Sequence, residues 1–458
     1  MSRYCLILVW CTLTSLVLST PTQRNATTNC FPLISSNQQT NFPSGNLSCV
    51  AIPEDPVKQG NLKVSTYHWL QGLDTPLVYG EEAARHLQNV NDGIQRSLKT
   101  YADFVKNTST TVNLVLVPAG SIMDWGITGR QSGTPSILHR FSVLVADWDE
   151  GYWPDDNRWA RTAAHELYHC VLRSTNVDAA SSSHSWSKWW VEGGASFFAT
   201  TLFPEPLDPT YRMYSDSRHP DLNIQASWQR YDPTKSMYNQ KYAASLFLLD
   251  MYTRPKGAQS LADIHSYLSK QTPARNEEAE RRRVAADGYA PDHFKVFAQR
   301  FVDNVIKEGR SSDVKATVLP PYSKGYRAAK TVKLAPKSAP FIWTAYKLVS
   351  FGFVRLDLTL QAPDITNKMT YAFSTESQAA QTILYYRPKT GKEWTKLDAG
   401  ATKKVYVGCG SGPQEYILLI VSTDEDAPSK PVVKVTPQSS EKCPGKSSRR
   451  DLGESQEF

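Results

Sequence analysis

The sequence lacks any long apolar run beyond its N-terminus, any internal repeat and any nucleic-acid-binding motif. No other stretch reaches the roughly 18 to 20 apolar residues of a bilayer-spanning helix, which excludes a multi-span membrane protein. The missing repeat excludes a repeat architecture. The formal charge of +7 is spread along the chain, and its one basic cluster, Arg281 to Arg283, adjoins three glutamates. That mixture predicts a solvated helix face, so we expect no nucleic-acid partner.

The N-terminus has the pattern of a signal peptide over residues 1–19. Arg3 precedes an apolar or small stretch from Tyr4 to Leu18, and small residues precede a cleavage position near Ser19. A membrane anchor is the alternative, which the shortness of the apolar stretch disfavours. We expect a secreted, extracellular protein with no stable membrane insertion after cleavage. Three sequons are then candidate glycosylation sites: Asn25, Asn46 and Asn107.

Cysteine is scarce, at seven residues. Outside the predicted signal peptide the cysteines are Cys30, Cys49, Cys170, Cys409 and Cys443. An oxidising compartment favours disulfides, and the local pairs are Cys30 with Cys49 and Cys409 with Cys443. Other connectivities stay open, because spacing does not fix pairing. Cys170 is then the odd thiol, and we expect it to be a small buried core residue rather than a metal ligand.

Hydrophobic periodicity predicts a mostly helical region in the first two thirds of the chain. From Ala83 to Val105, apolar residues recur at spacings of three and four, which is typical of an amphipathic helix. Strands are predicted at Thr110–Val117 and Phe141–Asp147. Further helices are predicted at 158–172, 186–203 and 238–252, with two or three more between 260 and 308.

Beyond Pro320 and Pro321 the pattern changes to short strands between turn residues. Phe353 to Leu360 alternates between apolar and polar residues, which favours a β-sandwich. Further strands are predicted at 382–387, 404–408, 415–423 and 432–436. The predicted fold class is α+β, a mostly helical domain with a small β-sheet followed by a C-terminal β-sandwich. The predicted segments are signal peptide 1–19, extended lead-in 20–65, helical domain 66–318, β-sandwich 330–438 and disordered tail 439–458.

The segment from Ala164 to His169 carries two histidines four residues apart, with Glu166 between them. On a helix these histidines share one face, one turn apart, so their imidazoles can chelate one Zn²⁺. Glu166 projects beside them, where a carboxylate can take a proton from metal-bound water and return it to a leaving group. Two histidines without a metal are the alternative, since the motif occurs by chance on ordinary helices.

A second segment, Trp189 to Phe198, places the single carboxylate of Glu192 in an apolar and small stretch. Such a carboxylate is costly to bury unless it is paired or bound to metal. A salt bridge to an arginine is the alternative, but catalytic zinc commonly takes two histidines and one glutamate. We therefore expect the ligands His165, His169 and Glu192. Gly193 and Gly194 weaken a helix, which indicates close packing against another element.

Together the two segments resemble the paired signatures of the gluzincin metallopeptidases, the thermolysin and aminopeptidase-like clan. The second signature often reads Trp-X-X-Glu-Gly-X-Ala, which matches Trp189 to Ala195. The resemblance covers residues 80–310 and implies a zincin-like catalytic domain with one Zn²⁺ per chain. It also implies hydrolysis of peptide bonds with Glu166 as general base, and a peptide or protein substrate pairing with an edge strand at Phe141–Asp147.

The resemblance further implies a tyrosine that donates a hydrogen bond to the developing oxyanion. The best match is Tyr238, and Tyr242, one turn later, is the alternate. The Gly-Ala-Met-Glu-Asn signature of aminopeptidases is absent, and the spacing from His169 to Glu192 exceeds that in thermolysin, which indicates a divergent, peptidase MA-like branch. Two other functions stay open: a secreted zinc-binding effector without turnover, and a zinc hydrolase of a non-peptide bond. The sequence leaves the oligomeric state open.

Overall fold

The computed structural model describes fourteen segments of the chain: 27–29, 48–51, 57–70, 81–106, 110–118, 126–131, 134–141, 158–176, 185–204, 230–307, 328–344, 348–376, 381–425 and 430–443. The predicted signal peptide, the three sequons and Cys30 lie outside these segments. Residue contacts divide the chain into two compact units. The first comprises 1–88 with 109–148, and the second comprises 89–108 with 149–458.

The first unit contains a mixed sheet of seven strands among the described residues. Their bounds are β1 Thr27–Asn29, β2 Ser48–Ala51, β3 Val57–Gln59, β4 Leu62–Leu70, β5 Thr110–Pro118, β6 Gly126–Gln131 and β7 Thr134–Phe141. The strand order is β1-β2-β4-β5-β7-β6, and β3 pairs with β4. The contacts of β5 with β4 and β7 are parallel, and the other pairings are antiparallel.

The strand prediction at Thr110–Val117 is confirmed by β5, whose β-branched and apolar residues suit a sheet interior. The strand predicted at 141–147 meets the described chain only at Phe141, which ends β7. Strand β7 pairs on both sides, with β5 and with β6. Residues 142–147 lie outside the described segments, so the predicted edge strand stays a prediction.

Seven α-helices are described: α1 Glu81–Tyr101, α2 Arg158–Thr175, α3 Lys188–Leu202, α4 Ser245–Thr253, α5 Leu261–Leu268, α6 Glu277–Ala286 and α7 Ala290–Val302. From Asn89 onward α1 belongs to the second unit, and four residues of the predicted apolar stripe are buried there: Val90, Ile94, Leu98 and Tyr101. At the end of that stripe the Tyr101 ring lies 5.6 Å from Tyr168 on α2 and 5.9 Å from Phe198 on α3. None of the described helices is both long and apolar enough to cross a bilayer.

The single helix predicted over 238–252 is wrong in its first half. Two 3-10 turns, Met237–Asn239 and Lys241–Ala244, precede α4. The interruption falls at Lys241, whose φ of 48° lies in the left-handed region that an α-helix does not use. The apolar spacing from Tyr238 to Tyr252 is compatible with one continuous helix and also with two 3-10 turns followed by a helix. Periodicity alone therefore could not reveal the break.

The C-terminal part is a β-sandwich, as predicted. Its strands are β8 Lys330–Leu334, β9 Phe341–Thr344, β10 Gly352–Leu360, β11 Asn367–Glu376, β12 Thr382–Pro388, β13 Thr395–Leu397, β14 Thr402–Gly408, β15 Gln414–Ser422 and β16 Val432–Lys442. One sheet has the order β13-β12-β15-β10-β8 and the other β14-β11-β16-β9. The predicted disulfide between Cys409 and Cys443 is confirmed, with a Cα–Cα distance of 5.3 Å. Cys170 is free and buried, as expected.

The five-stranded sheet is buried on both faces. Leu418 and Ile420 of β15 belong to the core between the two sheets, whereas Leu419 and Val421 lie outside that core and are equally buried. Beside them on this second face, the Phe353 ring lies within 5.3 to 6.2 Å of three α7 rings: Phe294, Phe297 and Phe301. The helices and the sandwich therefore share one packed unit rather than being joined by a linker alone.

Candidate metal centre

Helix α2 presents His165 and His169 on one face because they are one helical turn apart. Their rings lie 4.7 Å apart, and the two Nε2 atoms are 3.1 Å from each other. Both side chains are largely withdrawn from water, with 16% and 6% exposed. Two ring nitrogens that converge in a poorly hydrated site are suited to sharing one cation.

Helix α3 supplies the third group, Glu192. Its Oε2 atom lies 3.3 Å from the Nε2 of His165 and 3.3 Å from the Nε2 of His169. A regular tetrahedron of zinc ligands, with bonds of about 2.0 to 2.1 Å, has edges of about 3.3 to 3.4 Å. The three atom pairs come within a few tenths of an ångström of those edges. The donor set and its spacing thus fit a zinc ion with one coordination position left open.

Small residues let α3 pack closely enough to deliver Glu192. A Cβ atom added at Gly193 would lie 2.9 Å from the Lys241 carbonyl oxygen, and one at Gly194 would lie 2.7 Å from Leu268 Cδ1. Both glycines are therefore sites of close approach, as their presence in the helix predicted. On the α2 side, the Tyr168 ring stacks on Phe198 at 4.2 Å, which fixes α2 against α3.

The histidines and carboxylates of the cluster shift each other's pKa values. Burial disfavours the charged form of Glu192, but the two histidines outweigh it and hold the pKa of this carboxylate well below its usual range. Burial likewise opposes protonation of His165, but the Glu192 hydrogen bond and the Glu166 and Glu192 charges raise its pKa. A metal is bound by the neutral imidazole, so a proton and a metal compete for His165 and metal binding depends on pH.

Glu166 is buried, at 8% exposure, and its charge acts on the neighbouring His165. Ser196 is a residue that the sequence reasoning missed. Its hydroxyl lies 3.4 Å from Nδ1 of His165, where it can accept the ring N–H and fix the tautomer that turns Nε2 towards the cluster. The sequence did contain a clue, since Ser196 follows Glu192 by one helical turn.

The structure separates the two candidate tyrosines. Tyr238 is buried on the first 3-10 turn with its ring against Phe351, and burial raises the pKa of its hydroxyl, which bonds Ser236. Tyr242 lies on the second turn, with its ring 5.9 Å from His165 and 40% exposed. Within the described residues, then, Tyr242 is the tyrosine that adjoins the cluster, and the contacts of Tyr238 lie elsewhere.

A buried hydrogen-bond network anchors the start of α3, the helix that carries Glu192. The Trp189 indole N–H donates to the carboxylate of Glu280, which Arg283 also binds. The guanidinium of Arg283 lies 5.9 Å from the Trp189 ring centre, within cation–π range. Trp189 therefore fixes the first turn of the helix that carries Glu192.

Comparisons with known proteins add little to this geometry. No family model matches the chain, and no curated protein matches it. Solved structures similar to part of it include a collagenase pre-peptidase C-terminal domain from Bacillus anthracis, at 7% identity over 24% of this chain and 98% of that chain, with a TM-score of 0.18. Another is a periplasmic g-type lysozyme inhibitor from Escherichia coli, at 14% identity over 24% of this chain and 100% of that chain, with a TM-score of 0.16. Similarities this weak carry no inference about function.

Proposed function

We propose that the chain is a secreted zinc-dependent metallopeptidase that hydrolyses peptide bonds. The observation that carries the proposal is the cluster of His165, His169 and Glu192, whose ligand atoms all lie within 4.8 Å of one another. Glu166, on the same helix, supplies a carboxylate that is not needed as a ligand. A site of two histidines and a glutamate with an adjacent free carboxylate is the arrangement of hydrolytic zinc enzymes.

His165, His169 and Glu192 would hold the zinc ion, which would supply polarisation of a water molecule and of the scissile carbonyl. Glu166 takes the proton of that water on its carboxylate and later gives it to the departing amine. Tyr242, exposed beside His165, donates its hydroxyl proton in a hydrogen bond to the oxygen on which negative charge develops. Ser196 keeps the His165 ring oriented, and the burial of Glu166 and His169 limits the access of bulk water to the site.

The test combines metal analysis with digestion of a broad peptide library, with and without a chelator. We expect one zinc per chain and cleavage that the chelator abolishes. Glu166→Gln should keep the zinc and lower kcat by at least about a hundredfold, since general-base catalysis typically contributes that much. Glu415→Gln, a change at a surface ion pair with Lys389, is the matched control and should cleave as wild type does.

Three outcomes would count against the proposal. A Glu166→Gln protein that retains zinc and cleaves at the wild-type rate removes the general base. Zinc binding without chelator-sensitive cleavage of any peptide favours a binding protein or a hydrolase of another bond. Absence of zinc from the wild-type chain, purified without chelators, removes the metal site itself.

A further inference from the structure

The turn that carries Tyr242 directly follows a loop, residues 232–240, that the Gln240 side chain closes by hydrogen bonds. The Gln240 side-chain oxygen accepts the Asp232 N–H at 2.8 Å, and its amide nitrogen donates to the carbonyls of Asp232 and Lys235 at 2.9 and 3.2 Å. These three bonds tie residues 232–240 into one closed piece. A displacement of that piece must therefore move Lys241 and Tyr242, which follow it directly.

The same loop is held by the main chain of the β-sandwich. The Met237 N–H donates to the Phe351 carbonyl at 3.0 Å, and the Phe353 N–H donates to the Pro233 carbonyl at 2.9 Å. Phe351 itself is fixed to the sandwich, because its N–H donates to the Ser422 carbonyl at 2.8 Å. Phe351, just before β10, and Phe353, within it, thus hold the loop that leads to Tyr242 at Met237 and at Pro233.

Phe351 is also held in a strained conformation. Its φ of 53° lies in the left-handed region, which bulky residues rarely adopt. Its side chain is fully buried, with the ring 6.4 Å from Tyr238 and 5.3 Å from Phe294. Strain of this kind persists only where the surroundings over-determine it, and it clusters at functional sites. Lys241, at a φ of 48°, repeats the same strain next to Tyr242.

We infer that Phe351 is a positioning residue, through which the β-sandwich holds the Tyr242 turn beside His165. The path runs from the Phe351 ring and carbonyl to Met237 and Tyr238, and then through the closed loop to Tyr242. The inference rests on the proposed function, in which Tyr242 stabilises the oxyanion. The C-terminal sandwich would thus support the reaction by holding the Tyr242 turn in place, although none of its residues contacts the substrate in this proposal.

The experiment compares Phe351→Leu with Phe373→Leu. Phe373 is equally buried, but its ring contacts Tyr386 and Tyr416 inside the sandwich core. Both changes remove a buried ring, so both should lower stability. Only Phe351→Leu should lower kcat, by about tenfold with KM and zinc content unchanged, because a misplaced donor is felt in the transition state. Assays are run at a temperature at which circular dichroism shows every variant folded.

A double-mutant cycle identifies the path. In a Tyr242→Phe background, Phe351→Leu should cause no further loss of kcat, because the hydroxyl that it positions is already gone. An equal loss of kcat in both backgrounds, or an equal loss from Phe373→Leu, overturns the inference. If Phe351→Leu does not fold, Tyr238→Leu removes the other ring of the same contact and carries the same expectations.

Hydrogen exchange separates this inference from the proposed function, because it needs no turnover. With Phe351→Leu, amides of residues 237–244 should exchange faster, while those of 165–172 keep the wild-type rate. With Phe373→Leu, neither segment should change. Unchanged exchange at 237–244 overturns the positioning role even if the chain is an active peptidase. Faster exchange there supports it even if the chain cleaves no peptide.

Discussion

At the scale of single residues, the orientation of a metal-binding histidine depends on the hydrogen-bond partner of its second ring nitrogen. The His165 ring has such a partner in Ser196, whereas Nδ1 of His169 is buried without a hydrogen bond among the described residues. Outer partners of ligating histidines typically change metal affinity by ten- to a hundredfold. The contact at 3.4 Å is long and its acceptor is uncharged, which places Ser196 at the low end of that range.

We therefore expect Ser196→Ala to weaken zinc binding by about tenfold, by removing the acceptor that holds the His165 tautomer. Competition with a chromogenic chelator measures the affinity. Ser187→Ala is the control, since Ser187 is a buried serine just before α3 whose hydroxyl makes no hydrogen bond among the described residues. Equal affinities of the two variants would show that Ser196 only fills space.

His265 controls stability rather than chemistry. Its ring stacks on Phe104 at 4.5 Å and makes hydrogen bonds with the Tyr168 hydroxyl and Thr175. Burial lowers the pKa of His265 to about 4. The unfolded chain therefore binds more protons than the folded chain between that pH and about 6.5, so stability rises with pH across this window. The contribution is complete above about pH 6.5 and is lost as the pH falls towards 4.

We expect His265→Gln to flatten this dependence. The wild-type free energy of unfolding should rise by up to about 3 kcal/mol more than that of the variant between pH 4 and 6.5. Urea unfolding at several pH values measures the difference, with a chelator present so that metal binding does not contribute. Parallel curves for the two proteins would mean that His265 takes up a proton as readily in the folded state as in the unfolded state.

At the scale of elements, the two adjacent glycines of α3 make different close approaches. A Cβ at Gly193 meets backbone, the Lys241 carbonyl oxygen at 2.9 Å, whereas a Cβ at Gly194 meets the flexible end of Leu268 at 2.7 Å. Leucine can change rotamer, but the turn that carries Tyr242 must shift as a unit. The two positions form a matched pair within one helix.

We expect Gly193→Ala to lower stability by about 1 to 3 kcal/mol and to reduce kcat, because the Tyr242 turn is pushed away from His165. Gly194→Ala should cost less, since the gain in helix propensity of about 1 kcal/mol offsets the repacking of Leu268. Urea unfolding and steady-state kinetics measure the two effects. A larger loss for Gly194→Ala would contradict this assignment of the close approach.

The sequence predicted the elements well where periodicity decides the structure. The α1 stripe, the motif helix and the alternation in β10 all follow from which residues face the core. It also predicted the three residues that the fold brings together in a group that could hold a metal ion: two histidines one helical turn apart and a carboxylate in an apolar helix. The choice of Tyr242 over Tyr238 required the three-dimensional contacts, because the left-handed Lys241 changes the direction of the chain between them. The role of Ser196 also required them, because a serine on a helix has no distinctive sequence pattern.

At the scale of the whole molecule, the sequence predicts a β-sandwich at 330–438 as a segment distinct from the helical domain at 66–318. Arg387 at the end of β12 binds Asp303, just after α7, at 2.6 Å, and Trp394 donates to the same carboxylate at 2.8 Å. The Arg387 guanidinium and the Asp303 carboxylate are both largely buried, so breaking the pair would leave an uncompensated charge. The run of apolar residues in β15 already indicated a strand buried on both faces, but not what covers the second face.

We therefore expect a chain cut after residue 327 to lose its helical structure and its metal, rather than to remain an intact metal-binding domain. The cut uncovers the α7 rings that pack on Phe353, and it removes the acceptor of the Met237 N–H. Exposing a buried phenylalanine side chain costs about 1.5 to 3 kcal/mol, so uncovering the α7 rings removes a large part of a typical domain's margin of about 5 to 15 kcal/mol. Far-ultraviolet circular dichroism and zinc analysis measure the outcome, with a chain cut after Cys443 as the control. A truncated protein that keeps native helicity and one zinc would show that the helices fold alone, and that their contacts with the sandwich serve only to position the Tyr242 turn.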